Sequence, residues 1–144
     1  MTQLTAELVS RYIESAQPFV ESKADRLVLQ RADDWNTPFE HQRRRNPHVE
    51  RPAQSKADKT VRSLEELIWD EIHTALCKRT ARYRKHIDSL KNNVHLLIGG
   101  IAVHVAEKIG LAVAIVAALV AALLRIVLGM GISVFCKKFQ SGFF

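Results

Sequence analysis

Apolar side chains recur at Leu4, Leu8, Val9, Tyr12, Ile13 and Ala16, the spacing of one helical stripe. Thr2 or Thr5 can cap that helix with a side-chain oxygen. Pro18 suits the first turn of a second helix, with Phe19, Val20, Ala24, Leu27 and Val28 along one face. Residues 1–31 therefore read as two short amphipathic helices packed antiparallel. The pattern lapses over residues 32–60, where Pro38, Pro47, Pro52 and the run Arg43-Arg44-Arg45 replace aliphatic side chains. That stretch reads as an irregular linker, pinned at its start by Trp35 and Phe39. A helical stripe resumes at Val61, Leu64, Leu67, Ile68, Ile72, Ala75 and Leu76, and continues through Tyr83, Ile87, Leu90 and Val94. Ser63 and Glu66 have the spacing of a capping box. Glu65, Glu66, Asp70 and Glu71 come early, and basic residues come late, which complements a helix dipole. Residues 61–93 are expected to form one charged amphipathic helix that runs on toward Gly99-Gly100.

Beyond residue 93 the pattern is almost wholly apolar. Residues 109–124 carry no charge, and residues 109–136 carry only Arg125. A bilayer span takes about 20 such residues across a core roughly 30 Å thick. Residues 94–136 are accordingly expected to be a membrane segment, with residues 137–144 as a short basic tail. If residues 107–125 form one helix, Glu107 and Arg125 lie five turns apart on one line, about 27 Å from each other. Both would then reach opposite interfaces by snorkelling. Ala102, Ala106, Gly110, Ala114, Ala118 and Ala122 recur at every fourth position. Such a small-residue ridge lets helices approach closely in lipid, so it predicts a homo-oligomer.

Two topologies fit. One long helix crosses once, or residues 94–106 and 109–136 form a hairpin turning at Glu107-Lys108. The single crossing is preferred, because residues 94–106 are too short to span alone. Its N-terminus would be cytoplasmic, since Lys78, Arg79, Arg82, Arg84, Lys85 and Lys91 precede the apolar region. These six side chains are also suited to anionic lipid headgroups. His104 and Lys108 share a face near Glu107, at the expected depth of the membrane.

Composition sharpens this picture. The chain has 144 residues and a net charge of +6. Of its charged residues, 31 lie before residue 94. Such segregation argues against one soluble core. It also argues against a nucleic-acid binder, whose basic residues gather on a folded soluble face. The two cysteines, Cys77 and Cys136, sit in unlike surroundings and imply no disulfide framework. His73 and Cys77 are four residues apart, half of a zinc site, but nothing supplies the other ligands at a recognised spacing. No cofactor or metal is expected, and no phosphate loop, nucleophile elbow or paired carboxylates point to catalysis.

Arg79 and His86, with six residues between them, loosely resemble the Arg–His signature of the HEPN ribonucleases. That resemblance covers two residues and would imply an all-helical nuclease; it ranks last. The sequence thus predicts an all-α protein. Its leading function is an oligomerising, pore-forming or membrane-perturbing component, with lipid as its partner and the N-terminal helices as a regulatory region. The alternative is a tail-anchored adaptor that binds a protein through residues 1–60. A further alternative buries the apolar segment inside a large soluble or viral assembly rather than in lipid.

Overall fold

The structure is a computed structural model, and it describes residues 4–37, 56–78 and 94–140. Every regular element among these residues is helical. Helix α1 spans Ala6–Ala16, and Thr5 caps it by accepting from the Leu8 N–H at 3.2 Å. Gln17–Phe19 is a single 3₁₀ turn. Pro18 therefore serves that turn, and α2 begins later than the sequence pattern suggests, at Lys23–Asn36. The reason is a capping box at Ser22. Its Oγ accepts from the Asp25 N–H, while Asp25 Oδ2 accepts from the Ser22 and Glu21 N–H groups.

Helix α3 spans Lys56–His73 and ends in a π-helical turn at Thr74–Lys78. Ser63 is thus interior to a helix rather than at its start, and the expected capping box with Glu66 does not form an N-terminus. The linker narrows at both ends, since α2 reaches Asn36 and α3 starts at Lys56. The expected helix over residues 61–93 is described as far as Lys78, where it takes the π turn; residues 79–93 lie outside the described residues.

The apolar C-terminal half divides into three helices: α4 (Val94–Ile109), α5 (Val113–Met130) and α6 (Ile132–Gln140). The break between α4 and α5 is set by Gly110, whose φ of 82° lies in the left-handed region that glycine adopts most readily. Its N–H still bonds the Ala106 carbonyl at 2.7 Å, closing the end of α4. One long helix through residues 94–130 is therefore corrected to two helices that pack on each other. The turn lies at residues 110–112, just beyond Glu107-Lys108.

Helix α5 is the axis of the fold. It packs chiefly against α1, α2 and α4 and touches α3 more lightly. Around it, α1 lies against α2, α2 against α3, and α3 against α4. Tyr12 of α1 meets His95 of α4 and closes the ring. All ten residues from Ile115 to Leu124 are buried, nine of them completely. A helix that is apolar all round belongs inside a protein core or a bilayer, because it has no face suited to water. Here four helices provide the core.

Val9, Ala16, Val28, Leu64, Ile68, Leu97 and Ile101 join α5 in one continuous apolar cluster. The segregation of charge along the sequence therefore does not prevent a single core. The charged N-terminal helices contribute their apolar stripes to it, and α5 contributes the whole circumference of its stretch from Ile115 to Leu124.

Candidate functional site: a sequestered apolar helix and the seams that enclose it

The feature with most functional content is α5 and its enclosure. Its 18 residues have a mean hydropathy of 2.6, which makes it long and apolar enough to cross a membrane. At 1.5 Å per residue its length is about 27 Å. Each seam of the surrounding ring carries a polar contact. Between α1 and α2, Asn36 Nδ2 donates to Ser10 Oγ at 3.1 Å. Between α2 and α3, Arg31 Nε meets Glu65 Oε1 at 2.7 Å. Between α3 and α4, Glu71 Oε1 faces His104 Nε2 at 3.2 Å and Lys108 Nζ at 3.8 Å. Tyr12 and His95 hydrogen bond between α1 and α4.

Electrostatics at these seams follows from partial burial. Burial raises the Glu65 carboxyl above its ordinary value, and Arg31 and then Arg62 oppose that rise. Burial also raises the Tyr12 hydroxyl. His73 sits buried near the end of α3, with its ring edge-on to Phe135 at a centroid distance of 6.3 Å. Burial lowers its pKa, Lys78 lowers it further, and Asp70 partly compensates.

His73 in the fold therefore binds fewer protons than in the unfolded chain just below pH 6.5. Its contribution to stability is complete above that pH and is lost as pH falls through the window beneath it. His73→Gln is expected to flatten the decline in stability as pH falls below about 6.5. Urea midpoints of the two proteins across that range check this.

Arg125, the lone charge of the apolar run, lies half-buried on α5. Its Nη1 donates to the Asn36 carbonyl at 3.3 Å. Asn36 ends α2, so a cation meets one of the carbonyls that a helix C-terminus leaves unsatisfied. Glu107, exposed on α4, and Arg125 are on different helices, and the single charged line expected of them does not exist. Arg125→Ala is expected to cost about 1.5–3 kcal/mol, the range for a hydrogen bond that involves a charged group. Chemical denaturation measures it.

The small-residue ridge is likewise divided. Ala102 and Ala106 are buried on α4, Gly110 is exposed in the turn, and Ala114, Ala118 and Ala122 lie on α5. Ala118 and Ala122 are fully buried within this chain's own bundle. Of the six basic residues suited to lipid headgroups, Lys78 is exposed on the π turn. Arg79, Arg82, Arg84, Lys85 and Lys91 lie outside the described residues, as do His86 and Arg43 to Arg45.

Two features escaped sequence reasoning. Glu71 is buried and gathers His104 and Lys108, although the sequence offered it only as one of the early acidic residues that complement the helix dipole. The signal was its position: it is seven residues after Leu64 and three after Ile68, on the buried stripe. The second is a disulfide between Cys77, on the π turn, and Cys136, on α6. It corrects the reading of two unrelated cysteines. Fifty-nine residues separate them in sequence, but folding brings their Cα atoms to 5.8 Å, within reach of a disulfide. Cys77 is thereby removed as a metal ligand.

Comparison with protein-family models, curated proteins and solved structures finds no match for this chain.

Proposed function

We propose that this chain is a membrane-perturbing protein in its closed state. In that state the apolar helix is stored inside a coat of amphipathic helices. The observation that carries the reading is α5 itself: an 18-residue helix of mean hydropathy 2.6, buried continuously from Ile115 to Leu124. Amphipathic α1 and α2 turn apolar faces inward and polar faces to water. If they swing away, α5 and α4 face lipid instead of protein at little change in apolar burial, because hydrocarbon and a protein core are similar solvents for aliphatic side chains.

The net charge of +6 favours an anionic leaflet. Leu96 and Val103, one above the other on α4, are already exposed and offer a first apolar contact. Once α5 is in lipid, Ala114, Ala118 and Ala122 become available to other copies, and a pore assembles through that face. The N-terminal helices act as the regulatory coat. Their apolar faces are committed to α5 in the closed state, so they are not free for an adaptor's partner.

The test uses protein purified without detergent and mixed with phosphatidylserine-containing vesicles that hold a self-quenching dye. Dye release together with carbonate-resistant protein in the floated vesicles is the expected result. Full recovery of soluble protein with no release would reduce α5 to an ordinary core helix.

A further inference from the structure

Helix α6 is nine residues long, below the length at which an isolated helix is stable in water. It leaves α5 through Gly131, whose φ of 100° makes a sharp corner. Ile132 and Cys136 are half-buried, while Ser133, Val134, Lys137 and Lys138 are exposed. Phe135 is fully buried and covers Trp69, at a centroid distance of 5.8 Å, and His73 at the end of α3. One buried aromatic side chain, Phe135, and one covalent bond, Cys77–Cys136, thus attach α6 to α3 and its π turn.

From this arrangement we infer that the Cys77–Cys136 disulfide is a redox latch on the closed bundle. While it is intact, α6 is held over Trp69 and His73 and against the C-terminal end of α5. A dithiol reductant opens it by thiol–disulfide exchange. One reductant thiolate attacks a protein sulfur, the protein S–S bond breaks, and the leaving thiolate takes a proton. The second reductant thiolate then attacks the first reductant sulfur in the mixed disulfide, the bond to the remaining protein sulfur breaks, and that protein thiolate takes a proton. Cys77 and Cys136 end as thiols, and the reductant ends as a disulfide, having supplied two electrons and two protons. The freed α6 carries Ile132 and Phe135 on one side and Lys137 and Lys138 on another, the composition of a segment that lies on an anionic membrane surface. Release also uncovers the end of α5. The membrane part of this inference rests on the function proposed above; the latch itself does not.

The experiment reads amide hydrogen exchange, first in water and then with vesicles of phosphatidylcholine and phosphatidylserine. It compares oxidised protein, protein treated with a dithiol reductant, and the variant Cys77→Ser/Cys136→Ser. The expected result is exchange at least tenfold faster in Ile132–Gln140 after reduction, with α1 to α4 still protected, and vesicle uptake by the reduced protein. If the double variant does not fold, reduced wild-type protein gives the same reading. Fast exchange in α6 without vesicle uptake keeps the latch and overturns the membrane reading. Exchange in α6 unchanged by reduction overturns the latch. Exchange of every helix at the rate of an unfolded chain also overturns it, because the bond is then a staple without which the whole fold is lost.

Discussion

Leu119→Ala lowers the stability of the detergent-free protein by about 2–5 kcal/mol, the range for emptying a fully buried leucine site in a packed core. Leu119 is completely buried near the middle of α5, within the run from Ile115 to Leu124. Its side chain is enclosed by protein, so truncation leaves a void that relaxes only in part. A leucine that faced lipid in a lone anchor would lose its contacts to mobile acyl chains, which refill the space. The size of the loss therefore distinguishes a stored helix from an anchor. Urea unfolding of wild type and variant measures it. Ala118→Leu makes the complementary change: it adds volume beside Leu119 and is expected to cost about 1–3 kcal/mol by overpacking.

Removing the Cys77–Cys136 bond is expected to have the other large effect. In the chain-entropy account, a crosslink that closes a loop of about 60 residues restricts the unfolded ensemble by about 4 kcal/mol. Cys77→Ser/Cys136→Ser should lose up to that amount against the oxidised wild type. Reduced wild type should match the double variant. A denaturant midpoint unmoved by reduction would mean that the two sulfurs are not joined in the purified protein. The polar seams are individually smaller, because partly exposed ion pairs such as Arg31–Glu65 contribute little in water.

The helical class and most of the inward-facing residues were legible in the sequence. The stripe through Leu8 and Val9, and the one through Leu64, Ile68 and Ile72, turn inward as their spacing requires. Thr5 caps α1 as one of two candidates.

What the sequence concealed was the destination of the apolar run. Hydropathy measures only that α5 must leave water, and a core of four enclosing helices meets that need as well as a bilayer does. Periodicity also passes through a turn without notice. The four-residue recurrence from Ala102 to Ala122 looks continuous, but Gly110 takes a positive φ and divides it between two helices. Arg125 looked like an interfacial charge because its partner, the Asn36 carbonyl, is 89 residues away and carries no sequence signature. The disulfide was hidden for the same reason: only the packed fold brings the π turn and α6 together. Glu71 is the exception, since its place on the apolar stripe was visible and was outweighed by its charge.

The proposed function requires that the coat opens and that α5 passes from a protein interior to lipid. The most direct measurement is amide exchange of Val113–Met130 and of the coat helices, in free protein and in protein floated on anionic vesicles. Slow exchange of α5 is expected in both states, since it is shielded first by protein and then by hydrocarbon. Helices α1 and α2 are expected to lose protection only in the vesicle-bound protein. Vesicle-bound protein in which α1 and α2 keep the protection they have in water would contradict the proposal. The bundle would then bind lipid, if at all, as a closed body with its apolar helix still inside.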